Sequence, residues 1–249
     1  MAKDLFSAQA AAYAKYRPSY PADLIEYIMG FVTDKNTAWD CATGNGQVAA
    51  LLSPHFKKVL ATDISHQQLL HAMPKDNIIY QQGDATQTGF ADNSINLVTV
   101  AQAYHWLNHQ LFEKEVKRIA ARGAIIAVWG YALPVAASNA IDELIRHFYT
   151  AVVGPYWDAE RKFVDNAYQT LPFNFEPLPV APFSMQQHWT LDDCCGYLSS
   201  WSSVQHFIKD RGYNPVDEMR TALGSQWPVN SPSLLFRFPI FLRLGRISK

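Results

Sequence analysis

The chain has 249 residues, 49% of them apolar and 17% charged, and a formal net charge of −1. That length buries one large core, and the near-neutral balance supplies no basic field for a nucleic-acid backbone. No run approaches ~18 apolar residues, the opening stretch carries charge throughout, and Cys41, Cys194 and Cys195 lack zinc-site spacing. No membrane span or signal peptide is therefore expected, and the cysteines read as reduced thiols of a cytoplasmic protein.

In chain order, residues 7–16 read as an Ala-rich helix ended at Pro18. "SYPADLIEYIMGFV" reads as a helix with Pro21 in its first turn and Leu24, Ile25, Ile28, Phe31 and Val32 on one face. "TAWDCA" is a strand followed by a helix over 46–53. A strand over 57–64 precedes a helix over 66–73, and "NIIYQQGDA" is a strand running into a loop. A strand over 94–103 leads to a helix over 107–120, with Leu111, Val116 and Ile119 inward, and then a strand over 123–131. Such alternation implies a parallel sheet covered on both faces, with ligands at the carboxyl ends of its strands. Beyond 131 the rhythm breaks. Helices are expected over 139–151, 157–169, 192–209 and 215–227, and "FSMQQHW" as a strand. "LLFRFPIFLRLGRI" is expected as an edge strand, because Pro239 lacks a ladder donor.

Gly44-Asn45-Gly46-Gln47-Val48-Ala49 follows a strand and opens a helix. Glycines there permit positive φ and close approach of a ligand to the backbone. Asp63 ends the second strand, seventeen residues past Gly46, where a carboxylate can accept both ribose hydroxyls; otherwise it caps the next helix, a task Ser65 can also perform. Gly83-Asp84-Ala85 ends the third strand, and Asp84 suits either an adenine amine or an Asx turn. Asp40 stands just before the glycine turn, where it would repel a pyrophosphate and suit a cation, or hold the loop.

The combined pattern resembles the class I S-adenosylmethionine-dependent methyltransferases. "FSAQAAAYAKYRPSYP", "DCATGNGQ" and "VAQAYHWL" are similar to the small-molecule branch that includes trans-aconitate-type carboxyl methyltransferases. The resemblance implies a Rossmann-like, doubly wound α/β fold, with a mostly parallel seven-stranded sheet, helices on both faces and a helical cap. It implies one domain, with a lid over 1–35, a cofactor-binding core over 36–131, a cap insertion over 132–180, and strands and helices completing sheet and cap over 181–249. The implied cofactor is S-adenosyl-L-methionine. Its loop contacts would come from Asp40, Ala42, Thr43, Gly44, Asn45 and Gly46. Asp63, Ile64, Gly83, Asp84 and Ala85 would face the ribose and base, and Ala101, Gln102 and Ala103 the reactive end. Tyr13 and Arg17 would close over the cofactor, with Arg17 forking onto its carboxylate. Ala42 departs from the family's usual glycine and is expected in an ordinary backbone conformation.

"AQAYHWLNHQLFE" follows the fourth strand and lacks the [DN]-P-P-[YF] signature of nucleobase amino-methylating enzymes. Tyr104 and Trp106 are candidates to face the sulfonium and the acceptor, and His105 to orient the nucleophile or take its proton. Tyr131, Tyr197, Trp201 and Ser203 are candidates for the acceptor pocket; each is equally a core residue. His105, His109 and Glu113 share one helical face, but the H-E-x-x-H glutamate is missing, and no metal is expected. The leading function is methyl transfer to a small molecule, with a carboxylic acid as first acceptor class. The rivals are an NAD(P)-dependent oxidoreductase and a non-catalytic binding domain of the same fold. The oligomeric state is left open.

Overall fold

The computed structural model describes residues 16 and 18–248. Four parallel strands are built from the first alternating segments: Thr37–Cys41 (β1), Lys58–Asp63 (β2), Ile78–Gln82 (β3) and Ile95–Ala101 (β4). Ala120–Tyr131 (β5) is parallel to β4. β1 and β4 are buried almost throughout, which is why they read as near-continuous apolar runs. The spatial order is β3-β2-β1-β4-β5. Chain direction across the sheet therefore reverses between β1 and β4, which opens a crevice at their carboxyl ends.

Leu234–Arg246 (β9) runs antiparallel between β5 and Phe183–Trp189 (β8). The expected edge placement is thus corrected: β9 is paired on both sides. Pro239 is tolerated at a gap in the ladder on one side, between the Tyr131–Ile240 and Val135–Arg237 pairs, where its carbonyl accepts the Ala132 N–H. The two-residue strands Val135–Ala136 (β6) and Glu176–Pro177 (β7) also pair with β9, so the described residues form nine strands, seven of them long.

Ala22–Met29 (α1) and Gln47–Leu52 (α2) pack on one face, in a core that includes Leu24, Ile28, Ala49, Ile125 and Trp129. His66–Leu69 (α3) is shorter than expected. Leu70 is 62% exposed, so burial does not extend the helix, and Pro74 disfavours helical geometry just before it. His109–Ile119 (α4) covers the opposite face. Its inward residues are Phe112, Glu115, Val116 and Ile119; Leu111, expected inward, is 49% exposed in the first turn.

Asn139–His147 (α5) continues into a π-helical turn over 148–152. Only Arg161–Asp165 (α6) of the segment expected over 157–169 is α-helical. Residues 192–209 divide into Leu191–Ser199 (α7) and Ser202–Arg211 (α8), and Pro215–Gln226 (α9) packs against α7 and α5. No helix among the described residues is long and apolar enough to cross a membrane.

Candidate functional site

Immediately after β1 the backbone makes a turn with positive φ at Ala42 (54°), Gly44 (57°) and Gly46 (82°). The ordinary φ expected at Ala42 is corrected: alanine occupies the left-handed region itself. Asp40 holds this turn from beneath. It is 1% exposed, and its carboxylate accepts from Thr43 Oγ1 (2.5 Å), Thr99 Oγ1 (2.8 Å) and the Ala49 N–H (3.1 Å). One side chain thereby ties loop, helix and neighbouring strand. Burial pushes its carboxyl up to about 6, against the lowering effect of those donors.

Asp63, at the end of β2, accepts the Gly44 N–H and the Ser65 N–H, both at 2.8 Å. Capping of α3 falls to Ser65, whose hydroxyl accepts from the Gln68 N–H. Asp84 is exposed and accepts from Thr86 N and Oγ1, which completes an Asx-type turn. Ile64 is 38% exposed beside Asp63. At the end of β4, Gln102 also has positive φ, and its Oε1 accepts the Tyr131 N–H at 2.9 Å.

The turn after β1 and the ends of β4 and β5 line an open cleft. Asp40, Ala42, Thr43, Gly44 and Asn45 line its floor, and Ala101 and Tyr131 one wall. Pro18, Tyr20, Gln47 and Val48 also line it and were not among the candidate contact residues read from the sequence. The Tyr20 ring meets Trp129 edge-on at 5.6 Å. Thr99, one of two polar residues with Asn96 in the otherwise apolar run of β4, is the strand's contribution to the turn. Tyr13 and Arg17 lie outside the described residues.

Two carboxylates stand at this turn, and the lining residues described include no Lys or Arg. That chemistry suits a cation with a ribose and fits a pyrophosphate poorly. Space above Gly44 is open: a Cβ there would meet only Gln68 Oε1, at 3.9 Å. The residues present therefore fit a sulfonium nucleoside.

A family profile described as "Methyltransferase domain" matches residues 39–128. A solved structure described as a type II methyltransferase from Anaeromyxobacter dehalogenans superposes with TM-score 0.86 at 31% identity, covering 93% of this chain and 98% of that one. The chain belongs to the class I S-adenosylmethionine-dependent methyltransferases. A methyltransferase of Dictyostelium discoideum is 29% identical over 98% of this chain and 95% of its own length. A Saccharomyces cerevisiae protein described as an S-adenosylmethionine-dependent methyltransferase is 28% identical over 51% of this chain and 46% of its own.

As in other methyltransferases of this class, the cofactor is S-adenosylmethionine, and the residues able to hold it here are those of the 40–46 turn, Asp63 and the neighbouring strand ends. The 3-10 turn Tyr104–Trp106 follows β4. Tyr104 is buried, and its hydroxyl donates to the Pro172 carbonyl at 2.6 Å. His105 is 8% exposed, with Nδ1 2.8 Å from the Tyr168 hydroxyl. Burial, then the Arg161 and His109 charges, lower the imidazole to about 3, so His105 is neutral at pH 7. Trp106 is half-buried beside it, ring centres 4.7 Å apart.

His109 Nε2 pairs with the Tyr104 carbonyl, and Glu113 accepts from Lys117 and Asn174. The three residues of that helical face thus have separate partners. Tyr197, Trp201 and Ser203 are not brought to the cleft's lining; they are 3%, 3% and 0% exposed in the core behind it. Tyr197 packs on Trp189 and Phe238, and Trp201 on Tyr149 and Trp157.

Proposed function

We propose that this methyltransferase acts on a small-molecule acceptor, with a carboxylic acid as the leading class. The observation that carries this reading is the cleft at the β1–β4 reversal, with carboxylates at its turn and the 104–106 turn at its far strand end. Bound there, S-adenosylmethionine supplies an already activated methyl group. The protein's task is then alignment and exclusion of water. The Asp40 network holds the turn, Asp63 grips the ribose, and Asp84 with Ile64, Gly83 and Ala85 borders the base. Gln102, with Ala101 and Ala103, shapes the end at which the acceptor arrives.

A carboxylate acceptor has no proton to surrender, and a histidine lowered to about 3 is a weak base. His105 is accordingly assigned a positioning role, locked by Tyr168. The lid expected over 1–35 lies largely outside the described residues, and 132–180, with the helices of 181–249, is read as a cap on the acceptor side.

The test is transfer of labelled methyl from S-adenosylmethionine to panels of small acids, amines, thiols, and nucleic acid. Methylation concentrated in the acids is the expected result. Preferential labelling of nucleic acid or of amines replaces this acceptor class.

A further inference from the structure

Arg161 opens α6, the short helix that packs against the 104–106 turn beyond β4. Its side chain is 19% exposed, too enclosed to be an ordinary solvated arginine. Nε donates to the Tyr149 hydroxyl oxygen at 2.7 Å and lies 3.3 Å from Asp165 Oδ1. The Tyr149 hydroxyl in turn donates to Asp165 Oδ1 at 2.6 Å. The guanidinium lies 4.6 Å from the Trp157 ring centre and 5.2 Å from that of Tyr149. Tyr149 stands in the π-helical turn, an irregularity frequent at functional sites.

All of this fixes the guanidinium plane through one nitrogen and two aromatic faces. The two terminal nitrogens make no hydrogen bond among the described residues. A pre-oriented, half-enclosed fork of two donors matches a carboxylate bidentately. The Arg161 charge also reaches His105 and Tyr168, so the fork belongs to the neighbourhood of the acceptor turn. Arg243, by contrast, donates to the Tyr168 and Leu171 carbonyls. One fork beside one aspartate favours a singly charged carboxylate over a phosphate dianion.

We propose that Arg161 is the specificity-determining residue that grips a carboxylate of the methyl acceptor with its two terminal nitrogens. This deepens the small-acid reading above and rests on it. The alternative role is structural, in which Arg161 merely fastens Tyr149 to Asp165.

The experiment uses the full chain saturated with S-adenosylhomocysteine. Succinate and phenylacetate, their uncharged amides, and inorganic phosphate are titrated, with tryptophan fluorescence and calorimetry as readouts. The acids should bind wild type at least about tenfold more tightly than the amides. Arg161→Gln should erase that preference and leave S-adenosylhomocysteine affinity unchanged; Arg161→Lys should keep a reduced preference. A purely structural arginine would lower thermal stability in both variants and leave the acid-to-amide ratio alone. Should Arg161→Gln fail to fold, the Arg161→Lys ratio decides: an undiminished preference overturns the proposal. So do equal affinities for acid and amide in wild type, absence of saturable acid binding, or tighter binding of phosphate than of either acid. Failure of wild type to bind S-adenosylhomocysteine is a separate result, and it removes the cleft reading itself.

Discussion

Asp40 and Asp63 stand beside the same turn and carry different loads. Asp40 is enclosed and spends its oxygens on Thr43, Thr99 and Ala49, whereas Asp63 holds Gly44 and Ser65 at the strand end. Asp63→Ala should weaken S-adenosylhomocysteine binding by roughly 1.5–3 kcal/mol, the usual worth of a hydrogen bond to a charged group. Calorimetry on the folded variant checks this, and unchanged affinity would reduce Asp63 to a loop tether.

His105 gives a pH signature. Its folded-state value, about 3, lies below the ordinary 6.5, so its contribution to stability is present above pH 6.5 and lost as pH falls toward 3. Asp40 runs the other way: its raised value favours the fold at low pH, and that contribution is lost as pH rises through about 6. His105→Gln should therefore flatten the loss of stability between pH 6.5 and 4, by at most ~1.4 kcal/mol per pH unit. Denaturant melts at several pH values measure it, and parallel wild-type and variant curves would contradict it.

At this scale the positions of the glycine pair and the three aspartates around the strand ends were legible, because each is a polar or bare residue beside an apolar run. Tyr168 and Arg161 were not legible. Both approach His105 from more than fifty residues away, and their partners depend on a fold that spacing does not encode.

Among elements, the β1–α2 turn depends on its neighbour β3. A Cβ on Gly46 would run into the Tyr80 ring, and φ there is +82°. The Tyr80 hydroxyl donates to the Met73 carbonyl, which limits the ring's retreat. Gly46→Ala should lower stability by at least ~1–2 kcal/mol from the left-handed backbone alone, with S-adenosylhomocysteine affinity falling as well. Adding Tyr80→Ala should recover the steric part and leave the backbone part. Thermal melts of the single and double variants separate the two, and complete recovery would assign the whole effect to the ring.

The parallel strands were legible because burial on both faces leaves long apolar runs, and α1 because its apolar face repeats at helical spacing. Helix ends were less so. α3 stops where exposure removes its support, and the 157–169 segment breaks where Ala167 and Tyr168 take positive φ to reach the core. Pro239 misled for a physical reason: its missing donor matters only where a ladder runs on that side, and there the ladder is interrupted.

For the whole molecule, β9 joins the parallel strands to β8, and the short strands β6 and β7 pair with it as well. Ending the chain at Ser233 should therefore abolish cooperative unfolding rather than trim an edge. Circular dichroism and a denaturant melt of that truncation test it, and a native-like transition would show that β9 is dispensable. The alternation of strands and helices up to Tyr131 made the parallel half readable. The other half rests on pairings between distant segments, such as Phe183 with Ile240, for which local pattern carries no signal.

The central antiparallel strand also sets a schedule for biosynthesis. Phe183–Trp189 leaves the ribosome 45 residues before Leu234, counted from Trp189. At roughly 5–20 residues per second, its Met185 and Trp189 face waits for seconds without the strand that covers its edge. During that interval the nascent chain is open to pairing with other nascent chains, a hazard of its topology rather than of its finished surface.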